Sequence, residues 1–271
     1  MMKLCTIRIL IILVLMGISV FRISIAQDNF TSDPSEFGKD ATSPIERRIL
    51  IDAITAGVLP RASFDFDIRT FTYGGVQVAL NVGLLKRLNI GLSYGAGRLL
   101  TEDTPLWNPN MEFLVKYRIF TENYAYPSLA IGYSSQGSGT WDKVNKRYAQ
   151  KSKGIYLAAT KSFLVYRNIV AFTGGINVSM EDRDRDKDPS AYFGAFTQVN
   201  DQLYFIVEYD LAINDNERYN VYGFGRGFLN IGLEWILTQS VSVEFDLRDL
   251  LQNRDVKSFD REVRLFYIEH F

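Results

Sequence analysis

Between residues 63 and 70 the chain alternates strictly, with Asp65, Asp67 and Arg69 interleaved with Phe64, Phe66 and Ile68. This is the period-2 signature of a strand with two unlike faces. After Tyr73-Gly74-Gly75 the alternation resumes, with Val76, Val78, Leu80 and Val82 on one face and Gln77, Ala79, Asn81 and Gly83 on the other. The two halves predict a hairpin. The same pattern returns at 89–98, 111–120, 128–135, 154–163, 169–181, 191–199, 203–213, 227–237, 241–250 and 262–271. With the opening hairpin that gives about twelve strands, an even number as in bacterial single-chain membrane barrels.

The connections sharpen this reading. Short links at 84–88, 121–127, 164–168, 200–202 and 238–240 alternate with longer, more polar ones at 99–110, 136–153, 182–190, 214–226 and 251–261. Outer-membrane barrels have short periplasmic turns and longer external loops, whereas a soluble sandwich has no reason to keep such parity. The link at 71–75 is short in a long-loop position and is the one exception. The expected fold is therefore all-β, an antiparallel transmembrane barrel over residues 60–271.

Cost decides which face meets lipid. One face carries Asp65, Asp67, Arg69, Glu112, Lys116, Arg118, Glu208, Asp210, Glu234, Glu244, Asp246 and Arg248. A basic residue on the lipid face costs about 2–4 kcal/mol at mid-depth, so these residues are expected to line the lumen. The opposite face, with Phe113, Val115, Phe205, Val207, Leu233, Trp235, Phe245 and Leu247, is expected to point outward. Lys161 shares a face with Ile155 and Leu157, so it is expected near an interface, where its stem can snorkel. Inward glycines at Gly83, Gly91, Gly132, Gly175 and Gly232 either leave room for long neighbours or allow sharp bends.

Residues 1–26 read as a secretory signal peptide: Lys3 and Arg8, an apolar run to Phe21, then Ser24-Ile25-Ala26. Residues 27–59 form a periplasmic lead-in, polar to Pro44. From Ile45 the lead-in is richer in apolar residues, and it reads as a short helix capped by Ser43 or as an extended segment, with the helix favoured. The only cysteine, Cys5, leaves with the signal peptide, so neither a disulfide framework nor a cysteine metal site is expected. Removing Lys3, Arg8 and Arg22 takes 30 basic residues to 27 against 31 acids, a net charge of −4. That balance gives no reason to expect a nucleic-acid partner.

Catalytic chemistry has little to build on, and no catalytic, cofactor or metal site is expected. His270 is the only histidine and sits beside the C-terminus. Asp65 with Asp67, and Glu208 with Asp210, are spaced as in any polar lumen, where ion pairing with Arg69, Lys116, Arg118 and Arg248 is the expected role. The run from Glu181 to Asp188 has acids at alternate positions. Counting from Asp182, however, a Ca²⁺ loop would need Gly where Lys187 stands and Glu where Phe193 stands, so a solvated external loop is expected.

Two resemblances add to this. A chain ending on an aromatic residue in an amphipathic strand resembles the C-terminal signal read by the outer-membrane insertion machinery, and Phe271 carries that likeness. The run Tyr126-Pro127-Ser128-Leu129-Ala130-Ile131-Gly132, then Gly137-Ser138-Gly139, then Gly154-Ile155-Tyr156-Leu157-Ala158-Ala159-Thr160-Lys161 resembles a segment of the YjbH-type β-barrel proteins. The resemblance covers roughly a seventh of the chain and implies an association with exopolysaccharide export. The expected partners are membrane lipid, the insertion machinery and polysaccharide or export components. The expected role is a narrow channel or a scaffold without catalytic activity, set against a barrel enzyme acting on outer-membrane lipid and a soluble secreted ligand-binding barrel.

Overall fold

A computed structural model describes residues 46–165, 168–216, 222–254 and 259–270. The expected signal peptide, the lead-in up to Ile45, and Phe271, expected to carry the insertion signal, lie outside the described residues. The strands are β1 (Ser63–Phe71), β2 (Gly75–Leu85), β3 (Leu88–Gly97), β4 (Leu106–Trp107), β5 (Glu112–Phe120), β6 (Ser128–Ser134), β7 (Ser138–Asp142), β8 (Arg147–Gln150), β9 (Gly154–Val165), β10 (Asn168–Val178), β11 (Ser190–Asn200), β12 (Leu203–Asp210), β13 (Phe228–Ile236), β14 (Val241–Arg248) and β15 (Asp260–His270).

Twelve of them form a closed antiparallel barrel in the order β1-β2-β3-β5-β6-β9-β10-β11-β12-β13-β14-β15. The seam closes where β15 pairs with β1, from Ser63 opposite His270 to Thr70 opposite Val263. Closure leaves every wall strand with two neighbours, which is what backbone groups need where no water can reach them. Several strands have eleven residues, among them β2, β10, β11 and β15, long enough to cross a bilayer core at a tilt. Strand β4 adds to the outer end of β3, opposite Ala96 and Gly97. Strands β7 and β8 form a separate hairpin inside the long link between β6 and β9, which the alternation pattern did not predict.

The pattern of burial is that of a soluble barrel turned inside out. Along β14, Ser242, Glu244, Asp246 and Arg248 are buried while Phe245 and Leu247 are exposed. In β5, Glu112 is 8% exposed and its neighbour Phe113 is 54% exposed. Outward residues meet in cross-strand pairs such as Leu92 with Phe113 and Leu233 with Phe245, so the apolar surface is continuous between strands. This overturns the soluble-barrel alternative, in which the charged face would point outward. Lys161 lies beside the short turn after β5, where its ammonium meets the Asn123 and Tyr124 carbonyls and Glu122.

Residues 46–59 differ from the favoured reading. They form neither a helix nor an extended lead but a turn folded back on itself inside the barrel, with Ile49 bridged to Ile54 and the Leu50 amide donating to the Ala53 carbonyl at 2.8 Å. The reason is competition for the backbone groups. Successive amides at the turn are taken by a wall carboxylate and the flanking carbonyls by a wall lysine, leaving no partners for a helical ladder. The hydrophobic core of the barrel lies here: Leu50, Ile51, Ala53 and Ile54 pack on Tyr156, Ala158, Tyr192 and Ile206 of β9, β11 and β12.

Candidate functional site: a lumen filled from both ends

The inserted turn is held by its backbone. Glu208 on β12 accepts from the amides of Ile51, Asp52 and Ala53 at 3.0, 2.9 and 2.8 Å, and from Asn230 Nδ2 at 2.7 Å. Lys116 on β5 donates to the carbonyls of Arg48, Thr55 and Gly57 at 2.8, 3.1 and 3.0 Å. Three consecutive amides facing one point make a concave anion site, which here receives a side-chain carboxylate.

Side-chain ion pairs surround this grip. Arg47 pairs with Glu234 and Glu244, Arg48 with Asp65, and Arg118 with Glu46. Asp65 also accepts from Asn81 at 2.8 Å. Asp67 pairs with Arg264 at 2.6 Å, and Arg264 reaches Glu244 at 3.3 Å. The carboxylates were expected to pair with Arg69, Lys116, Arg118 and Arg248. Instead Asp65 pairs with Arg48 and Asp210 with Lys153, cations of the inserts that strand alternation does not display, while Asp67 pairs with Arg264 of β15 and Glu208 takes backbone amides. Asp246 is buried against Gly232, and neither of its oxygens meets a donor among the described residues.

A second insert enters from the long-loop side. The β7–β8 hairpin buries Ser138, Arg147, Tyr148 and Gln150. Glu112 accepts from the Tyr148 hydroxyl at 3.0 Å, and Asp210 pairs with Lys153 just beyond the hairpin. The acidic run, expected as a solvated loop, folds onto this hairpin: Asp184 pairs with Arg147 and Lys151, and Glu181 accepts from the Tyr148 and Ser152 amides at 2.8 and 2.9 Å. The opposite charge of the two loops, basic at 143–153 and acidic at 181–188, was the signal for that contact.

The two inserts meet on two wall arginines. Arg69 donates to Asp52 Oδ1 at 2.8 Å and to Ser138 Oγ at 3.4 Å. Arg248 donates to Ser138 Oγ at 2.5 Å and to Gln150 Oε1 at 2.7 Å, and it pairs with Asp52 and Glu262. Around this junction lie two cavities. An inner one of about 100 Å³ lies between the turn and the wall of β2, β3, β5 and β6, where Ala79, Gly91, Ser93 and Ser134 are small. An outer one of about 290 Å³ is lined by Phe71, Tyr73, Arg98 and Arg254. Ser138, Gln150 and the inserts lie between them, and both cavities touch Ser138 and Gln150. His270 lies exposed at the end of β15, away from this junction, at the rim where Ser63 is its register partner.

No protein-family model and no curated protein matches the sequence. Among solved structures, the chain is similar to the KdgM porin, at 11% identity over 77% of this chain and 99% of that one, with a TM-score of 0.47. It is also similar to the outer-membrane protein Omp33 of Acinetobacter baumannii, at 8% identity over 77% and 97% of the two chains, TM-score 0.43, and to the NanC porin, at 10% over 77% and 99%, TM-score 0.42. The placement rests on the chain's own physics. A closed antiparallel sheet, apolar outside and charged within, with short turns at one end and long loops at the other, belongs to the outer membrane of a Gram-negative-type bacterium.

Proposed function

We propose that this chain is a non-catalytic outer-membrane channel that rests closed. The observation that carries the reading is the pair of cavities, the inner one against β2, β3, β5 and β6 and the outer one against the ends of β1, β14 and β15, separated by the polar contacts of Ser138 and Gln150 with Arg248. The inserted turn packs its apolar residues against β9, β11 and β12, so it fills one side of the lumen and leaves the other polar. A polar throat closed by hydrogen bonds opens with less loss than one closed by apolar packing, because water can replace each bond.

The test is conductance in planar bilayers, with heat-modifiability on gels confirming a folded barrel. The full chain is expected to give small, infrequent current steps, and Ser138→Ala with Gln150→Ala to give larger and more frequent ones. Silence from both folded proteins would overturn the channel reading.

Such silence would favour a second reading, a scaffold in a surface or export assembly. The extensive packing inside the lumen supports it, and the likeness to the YjbH-type proteins suggests exopolysaccharide export components as partners. Co-purification with such components from the native membrane, independent of conductance, is the measurement that separates the two.

A further inference from the structure

We infer that the two inserts form one coupled latch, so that displacing the outer hairpin loosens the inner turn and the reverse. This goes beyond the channel reading and stands on the inserts alone. Three observations carry it. Asp52, at the tip of the inner turn, and Ser138, at the start of the outer hairpin, share the same two arginines, Arg69 and Arg248. Arg248 spends the rest of its donor fork on Gln150 of the hairpin and Glu262 of the wall. Lys153, three residues beyond the hairpin's last residue, Gln150, lies over the Tyr192 ring at 4.9 Å, and the Tyr192 hydroxyl donates to the Ile54 carbonyl of the inner turn at 3.0 Å. Two routes therefore join the inserts, one on each side of the lumen.

The geometry gives the coupling a direction as well as a path. A guanidinium fork has a fixed plane, so an arginine held by the hairpin is also aimed at Asp52. With Ser138 and Gln150 gone, Arg248 keeps its charge partners Asp52 and Glu262 but loses the contacts that fix its orientation. The inner turn then loses a rigid neighbour while the surrounding charges stay balanced. Linkage requires the effect to be reciprocal: a change in the grip on the inner turn must alter the hairpin by the same factor.

Amide hydrogen exchange of the full chain in detergent, read by mass spectrometry, tests this without reference to current. Ser138→Ala with Gln150→Ala is expected to raise exchange in residues 50–56 about fivefold or more, the low end of typical coupling. Glu208→Gln is expected to raise exchange in residues 138–150 in turn. A staple supplies the opposite perturbation. A Cβ built on Gly97 lies 3.4 Å from Thr140 Cβ, close to the separation of a disulfide, so Gly97→Cys with Thr140→Cys, in a Cys5→Ser background, would tie the hairpin to β3. The oxidised form is expected to slow exchange in residues 50–56 and reduction to restore it, in one and the same folded protein. Unchanged exchange in residues 50–56 under both perturbations would overturn the coupling. A coupled but silent protein would count against the channel reading only.

Discussion

Lys116 and Glu208 hold the same inserted turn by the two ends of its peptide groups, the lysine taking carbonyls and the glutamate taking amides. They stand five strand-to-strand steps apart around the ring, from β12 through β11, β10, β9 and β6 to β5. Neither contact reads the side chains of the turn. The grip therefore tolerates changes at residues 50, 51 and 53 that preserve the apolar packing, but not changes at the two wall positions; Asp52 is held separately, through its side chain, by Arg69 and Arg248.

Glu208→Ala is expected to free the turn. It leaves three buried amides without an acceptor, and hydrogen bonds to a charged group are each worth about 1.5–3 kcal/mol. Exchange at residues 51–53 should rise by at least tenfold while the wall strands stay protected. Glu208→Gln retains one acceptor oxygen and should fall between the two. Protection at residues 51–53 that survives the alanine variant would mean that the apolar packing of Leu50, Ile51 and Ile54 holds the turn by itself.

The face assignment predicts a cost that depends on depth. Phe245→Arg places a cation on the exposed face in the middle of β14 and should cost about 2–4 kcal/mol of folding stability in lipid vesicles. Leu237→Arg, at the short turn after β13, should cost no more than about 1 kcal/mol. Urea titrations of folding into vesicles give both numbers. Equal costs would contradict a lipid-facing belt.

Adjacent glycines in β10 should behave oppositely. A Cβ on Gly175 would lie 2.4 Å from the Tyr192 ring and 2.9 Å from the Leu157 carbonyl oxygen, whereas one on Gly174 meets nothing nearer than 3.7 Å. Gly175→Ala must therefore push Tyr192 off the Ile54 carbonyl, with an overpacking cost of about 1–3 kcal/mol. Gly174→Ala should be close to neutral. Thermal unfolding in detergent separates the pair.

The wall was legible in the sequence because the lipid boundary forces every strand to alternate, and all twelve strands left that trace. Glu262 and Arg264 were missing from the expected lumen residues although they alternate with Asp260 on one buried face of β15, because Phe266 and Ile268 continue that face as apolar. Arg47, Arg48 and Asp52 left no such mark. A turn whose backbone is gripped from outside carries no period of its own, so its apolar residues read equally well as a helix. The hairpin of β7 and β8 was hidden for a related reason: it packs against polar walls, and both of its faces are mixed.

The outer hairpin should also respond to pH. Asp142, on the loop side of the barrel, is partly buried, which raises its pKa, but hydrogen bonds from the Tyr222 hydroxyl and Asn145 outweigh burial and hold it below the usual aspartate range. Tyr222 is pushed up to about 12, first by burial and then by its bond to Asp142. A carboxylate whose pKa is lowered on folding adds stability above its unfolded value of about 4, and that stability is lost as pH falls through the lowered value. A tyrosine whose pKa is raised adds stability that is full below its unfolded value of about 10 and disappears as pH climbs toward the raised one. The clamp between Asp142 and Tyr222 should therefore be held uniformly from about pH 5 to 9 and loosen on either side. Trp141 reports this directly, since its ring meets Tyr148 edge-on at 4.9 Å. With Trp107 and Trp235 replaced by Phe, its fluorescence should be flat across that window and change at both limits. Tyr222→Phe should weaken both limbs, leaving on the alkaline side the part that buried Tyr148 contributes, and an unaltered profile in that variant would show that the clamp lies elsewhere.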